Sequence, residues 1–132
     1  MASIFTRIVN KEIPAHIVAE SDDYLAFLDI NPLTEGHTLV IPKKEVDYLF
    51  DLDDETLAGL NLFAKNVAKA IDQVSDCARV GVSVVGLEVP HAHIHLIPIN
   101  SIDDMNFSRM KLSPSKEELA ATAKRIKTVF TS

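Results

Sequence analysis

Tryptophan is absent and cysteine occurs once, at Cys77, in a chain of 132 residues. A lone cysteine excludes an intramolecular disulfide and every zinc site built from several thiolates, and it fits a reducing compartment. Positive charge is scarce: 13 Lys and Arg stand against 19 Asp and Glu, a net charge of −6. That balance argues against a long nucleic acid held by its phosphates, although a small anionic ligand needs only a local cradle. Long apolar runs are missing near the start, where Arg7, Lys11 and Glu12 intervene. The stretch reads as neither a signal peptide nor a membrane span, so a cytoplasmic protein without a membrane partner is expected. With four glycines and six scattered prolines, no glycine-rich linker, low-complexity tract or internal repeat marks a domain boundary. The 47% hydrophobic content is enough for a substantial core, and one domain over residues 1–132 is expected.

Periodicity gives a coarse plan. Ile4, Phe5, Ile8 and Val9 have helical spacing, and Ile13-Pro14 ends that short helix. Strands are expected over His16–Ala19, Tyr24–Ile30, His37–Pro42 and Arg79–Gly86, the third buried on both faces because Leu39, Val40 and Ile41 are consecutive. From Asp51 the period changes. Asp51, Asp53, Asp54 and Glu55 suit a helix N-terminus, and Leu57, Leu60, Ala64, Val67, Ala68 and Ile71 form an apolar stripe behind them. Ser113-Pro114 is expected to open a last helix with Leu119, Ala123, Ile126 and Phe130 on its buried side. Asn100–Met110 has no clear period. Five mostly antiparallel strands and two main helices make an α+β fold.

The most informative stretch is Glu88–Pro98, Glu-Val-Pro-His-Ala-His-Ile-His-Leu-Ile-Pro. In an extended strand, His91, His93 and His95 share one face and Ala92, Ile94 and Leu96 the other. Three readings compete. As plain core or surface residues, the rings would crowd titratable groups together with no benefit to folding. As metal ligands they lack a nearby Asp, Glu or Cys to complete a shell. As a catalytic row, a neutral imidazole is a nucleophile near pH 7, and its neighbours can bond phosphoryl oxygens and assist a leaving group.

Pro90-His91-Ala92-His93-Ile94-His95-Leu96-Ile97 resembles the signature of the histidine triad superfamily, His-x-His-x-His followed by two apolar residues. Ile4-Phe5 with Ile8, Glu12-Ile13-Pro14-Ala15, Ala26-Phe27-Leu28-Asp29-Ile30-Asn31-Pro32 and Gly36-His37-Thr38-Leu39-Val40-Ile41-Pro42-Lys43-Lys44 are similar to family segments in family order. The resemblance implies a five-stranded antiparallel sheet with two main helices, in the nucleotide-binding branch that contains adenosine phosphoramidases and dinucleoside polyphosphate hydrolases. It also implies a homodimer with a continuous sheet. On this resemblance His93 is the nucleophile that carries the nucleotidyl group, His95 contacts the phosphate and leaving group, His91 orients the nucleophile, and His37 bonds into the triad from a neighbouring strand. Asp29 accepts the ribose hydroxyls, and Phe27, Ile30, Ile4, Phe5 and Ile8 line the base slot. Lys43 and Lys44 are phosphate ligands or simply solvated.

Two departures stand out. Many bacterial members of the family bind a structural zinc, but the corresponding positions here are Ser3, Thr6 and Glu45, so no metal and no other cofactor is expected. The usual Gln before the triad is replaced by Leu87, in a shortened loop with Glu88 near the leaving group. The expected function is hydrolysis or transfer at the α-phosphate of a purine nucleotide or adenylylated small molecule. The alternative is a catalytically weak nucleotide-binding regulatory module.

Overall fold

The computed structural model describes residues 2–131. Five strands form one antiparallel sheet in the order β1-β2-β3-β5-β4. They are β1 (Ile17–Glu20), β2 (Tyr24–Leu28), β3 (Thr38–Pro42), β4 (Arg79–Ser83) and β5 (Ile94–Ile99). Three α-helices accompany them, a short α1 (Ile4–Val9), the long α2 (Asp54–Val74) and α3 (Lys116–Val129). The expected five-stranded antiparallel α+β architecture is therefore what the chain adopts. The short connection between β4 and β5 makes the antiparallel pair that a chain without a crossover allows.

Helix ends follow local chemistry. The Asp53 side chain accepts the Thr56 backbone N–H at 3.0 Å and caps α2, with Asp54 and Glu55 in the first turn where negative charge meets the positive end of the helix. The helix thus begins at Asp54 rather than near Asp51, which closes a short 3-10 turn, Leu49–Asp51. The last helix also starts later than expected. Ser115, not Ser113, is its cap: the Ser115 hydroxyl accepts the Glu118 N–H at 3.1 Å while the Glu118 carboxylate accepts the Ser115 N–H at 2.9 Å. That reciprocal pair satisfies two otherwise free amides, which Ser113-Pro114 could not do.

The two faces of the sheet differ. On one, α2 and α3 cover Ala92, Ile94 and Leu96 with Leu60, Ile71 and Ile126, all buried. On the other, Phe5 and Ile8 of α1 pack with Leu25, Phe27, Leu39 and Ile41 in a second apolar cluster. β3 is buried along its whole length, as its consecutive apolar residues require. The expected histidine strand needs one correction. Its hydrogen-bonded ladder begins at Ile94, because the β3 and β4 partners run out at Val40 and Ser83. His91 and His93 lie on the approach to β5, where the Ala92 N–H donates to the Val46 carbonyl at 2.7 Å instead. The alternation of faces nevertheless persists through this approach.

Candidate active site

His95 pairs with Leu39 on β3 and Ser83 on β4, which places it inside the sheet, next to the edge strand, on the α1 side. His93 follows at a ring separation of 4.9 Å, and Phe5 presents its ring edgewise to both His93 and His91 at 5.1 and 5.9 Å. His37 closes the row from the start of β3, with its ring 5.2 Å from that of His95. All four imidazoles are buried. The Asp29 N–H donates to the His37 carbonyl at 3.0 Å, so the end of β2 brings its carboxylate alongside; Asp29 Oδ2 lies 3.8 Å from His37 Nε2.

Backbone groups assign the proton on each neutral ring, because a backbone N–H can only donate and a carbonyl can only accept. The Leu33 N–H donates to His37 Nδ1 at 3.0 Å, so the His37 proton resides on Nε2 and is given to His95 Nδ1 at 2.9 Å. His95 therefore carries its own proton on Nε2. His93 Nδ1–H donates to the His91 carbonyl at 2.7 Å, which leaves His93 Nε2 with a free lone pair. His91 Nε2–H donates to the Pro42 carbonyl at 2.8 Å, and its Nδ1 accepts from the Ser3 hydroxyl at 2.9 Å.

Burial reinforces the neutral state. Desolvation, assisted by His95, pushes His37 down to about 3. Desolvation and the neighbouring His93 push His95 down to about 4. His91 is lowered too, again chiefly by burial. Asp29 moves the other way: burial raises it, opposed by the Asn31 backbone N–H that its Oδ1 accepts at 2.9 Å. Burial thus keeps His37, His91 and His95 neutral near pH 7, with the tautomers that their hydrogen bonds fix.

A cavity of about 410 Å³ opens beside this row. His93 and His95 line it together with Asp29 and with all five residues expected at the base slot. Phe5, Phe27 and Ile8 are buried in its wall, whereas Ile4 and Ile30, 51% and 61% exposed, stand at its rim. His91 and His37 lie behind the lining and support it. Lys43 is directed elsewhere, to Glu20 at 2.8 Å, and Lys44 is exposed. Leu87, in the shortened loop, is 88% exposed, while Glu88 does line the cavity.

Sequence reasoning missed one wall. Phe107 packs edgewise on His95 at 4.9 Å and on His37 at 6.4 Å, and Lys111 donates to the Phe107 carbonyl at 3.2 Å beside it. Both line the cavity. They belong to an irregular segment with no periodicity, and a lone aromatic among polar residues was the one available signal.

The zinc positions were tested on their donor atoms. Two hydroxyls, a carboxylate and an imidazole Nδ1 lack the thiolates that favour zinc, and they are already bonded to one another. This set does not fit a structural zinc. A second group, Asp29, His37 and His95, has ligand atoms within 4.8 Å of one another and is chemically suited to a divalent cation, but the His37–His95 hydrogen bond occupies two of those atoms.

Comparison with known proteins agrees with this geometry. Residues 10–102 match the HIT domain family. The chain is 40% identical over 113 residues to a HIT-like protein of Borreliella burgdorferi, covering 80% of this chain and 81% of that one. It is 41% identical over 99 residues to the adenosine 5'-monophosphoramidase of Saccharomyces cerevisiae, covering 74% of this chain and 62% of that one. Among solved structures it superposes on a Hit-like protein involved in cell-cycle regulation from Bartonella henselae with a TM-score of 0.82 and 34% identity, over 96% of this chain and 95% of the other. No helix among the described residues is long and apolar enough to cross a membrane. With the triad, its supporting histidine and the slot in one place, the chain belongs to the HIT domain family, the histidine triad proteins.

Proposed function

We propose that this protein is a nucleotidyl hydrolase or transferase that cleaves a phosphoramidate or phosphoanhydride bond at the α-phosphate of a purine nucleoside monophosphate derivative. The observation that carries this reading is the 2.7 Å bond from His93 Nδ1–H to the His91 carbonyl, which leaves Nε2 as the free lone pair beside an apolar slot. His93 Nε2 attacks phosphorus in line, a P–N or P–O bond breaks, and the positive charge that develops on His93 is stabilised by the His91 carbonyl. His95 Nε2–H donates to a phosphoryl or leaving-group oxygen. A nitrogen leaving group takes the His95 Nε2 proton as the P–N bond breaks, and a phosphate leaving group departs without one. Water then attacks phosphorus, the P–Nε2 bond breaks, and the proton that water loses returns to His95 Nε2 after P–N cleavage or passes to solvent after P–O cleavage, so that His93 and His95 are both restored.

Asp29 would accept both ribose hydroxyls, with Phe27 and Phe5 against one side of the base. The similarity to an enzyme named adenosine 5'-monophosphoramidase supports the phosphoramidate class. A homodimer would form through β4, an open edge of the sheet, where Val82, Val84 and Val85 are exposed.

Turnover of adenosine phosphoramidate by wild type and His93→Ala tests this reading. Loss of about 10³-fold or more in the variant is expected for a nucleophile. Equal, negligible turnover by both, with AMP still bound, would favour the regulatory binding module. The Asp29–His37–His95 group supports a metal-assisted alternative, which requires that chelators abolish activity.

A further inference from the structure

The start of α1, the loop after β3 and the approach to β5 meet at one buried junction. His91, fully buried, is held there on both nitrogens. The Ser3 hydroxyl accepts the Thr6 N–H at 3.0 Å, so its single proton is available for His91 Nδ1 at 2.9 Å. The Thr6 hydroxyl proton goes to Glu45 Oε1, which also accepts the Ser3 N–H at 2.7 Å. Thr6 Oγ1 lies 3.3 Å from His91 Nδ1, near enough to flank the ring but with its proton already committed. Each hydroxyl has one proton and each is used once. On the far side, Pro42 and Val46 receive the His91 Nε2–H and the Ala92 N–H, so residues 42–46 grip the first triad position from two directions. None of Ser3, Thr6, Pro42, Glu45, Val46 and His91 lines the cavity.

We infer that Ser3 and Thr6, held by Glu45, are positioning residues that hold the ring of His91, whose Nε2–H tautomer the Pro42 carbonyl sets, and thereby keep the His91 carbonyl where it orients His93. This rests on the proposed role of His93 as nucleophile. The hydroxyl network does for the first triad position what a bound ion would do with a different donor set: it ties α1 to the triad and leaves the ring one orientation. A buried ring nitrogen without a partner is left both desolvated and unsatisfied, so the favoured ring orientation is the observed one, which satisfies both nitrogens. Glu45 stays ionised throughout the working range, held down to about 2 first by the Thr6 hydroxyl and next by the Ser3 N–H. It is therefore always an acceptor, and the Thr6 proton is not released to compete for His91.

The consequence is felt more in chemistry than in binding. The network touches His91 and the attack geometry of His93, whereas Asp29 and Phe27 of the nucleoside site lie on β2 and its end, and Phe5 and Ile8 of α1 are kept in place by their own burial. Ser3→Gly removes the hydroxyl, and with it the bond to the Thr6 N–H, while glycine remains a favoured residue at the N-cap and so leaves α1 in place. The expected result is a fall in kcat between about 10- and 100-fold, the scale of a misplacement near one ångström, with KM within about twofold. Nitrogen-15 spectra of the imidazoles should show His91 as a single Nε2–H tautomer in wild type and a loss of the Nδ1 acceptor signature in Ser3→Gly. Ser3→Thr, which keeps both cap and hydroxyl, should restore both readouts. Thr6→Val, which removes the Thr6 hydroxyl from Glu45 and from the Ser3 hydroxyl but leaves Ser3 on His91, should move them in the same direction by less. An unchanged His91 spectrum in Ser3→Gly, whether kcat holds or falls, would overturn the inference. If instead His93→Ala left turnover intact, the nucleophile assignment would fail, while the spectrum would still decide whether the network holds the His91 ring.

Discussion

At the scale of single residues, the site works through assigned protons more than through charge. Leu33, Pro42 and the His91 carbonyl each bond one ring nitrogen, and with them the row settles into one protonation pattern. Asp29 is the charged exception and also the residue whose role divides most cleanly from its neighbours. Asp29→Asn keeps an oxygen for the Asn31 N–H, which Asp29 now bonds at 2.9 Å, and so preserves the local turn. It replaces an ionic double acceptor with a neutral one. If the carboxylate holds the ribose diol, AMP binding should weaken by about 1.5–3 kcal/mol, the range for hydrogen bonds to charged groups, while 2',3'-dideoxy-AMP should weaken far less. Calorimetric titration of both ligands checks this, and equal weakening of the two would remove Asp29 from the ribose contact.

Elements decide what the side chains can reach. A histidine strand with Ala92, Ile94 and Leu96 turned to a core was legible in the sequence, and the family resemblance put His37 on a neighbouring strand; the full strand order was not. The α1 wall was legible too, through the helical spacing of Ile4, Phe5 and Ile8. The segment carrying Phe107 and Lys111 was not, since it contributes through one ring set on His95 and has neither period. Helix starts were misplaced by a few residues for a related reason: several Ser and Asp residues compete for the cap, and only geometry shows that Asp53 and Ser115 win. The strap can be tested directly. Phe107→Ala exposes His95 to water and relieves the desolvation that holds it down to about 4. The His95 titration, followed by NMR, should move up toward the ordinary histidine range, and kcat should fall by about 10-fold as a positioned, water-excluding ring is lost. An unmoved His95 titration would show that the ring does not shield it.

On the scale of the whole molecule, buried neutral histidines couple the site to stability. His37 and His95 titrate at about 3 and about 4 in the fold against 6.5 when unperturbed. Between those values the unfolded chain binds protons that the folded chain refuses, so their contribution is fully present above pH 6.5 and is lost as pH falls toward 4. Urea midpoints should therefore drop between pH 7 and pH 5, and the drop should shrink in His37→Gln; a midpoint that rises on acidification would contradict the burial account. The open β4 edge makes a second whole-molecule prediction. Charge at an edge blocks strand pairing, so wild type is expected to sediment as a dimer and Val82→Lys as a monomer, and a monomeric wild type would remove the proposed interface.

The central claim is that His93 Nε2 forms a bond to phosphorus, and it can be observed without inference from rates. Wild type mixed with excess adenosine phosphoramidate, quenched within the first turnover and mapped by peptide mass spectrometry at alkaline pH, where phosphorus–imidazole bonds persist, should show an adenylyl adduct on His93. The adduct should appear and decay at rates consistent with turnover. Product formation with no adduct at any quench time, or an adduct confined to His95, would contradict the account.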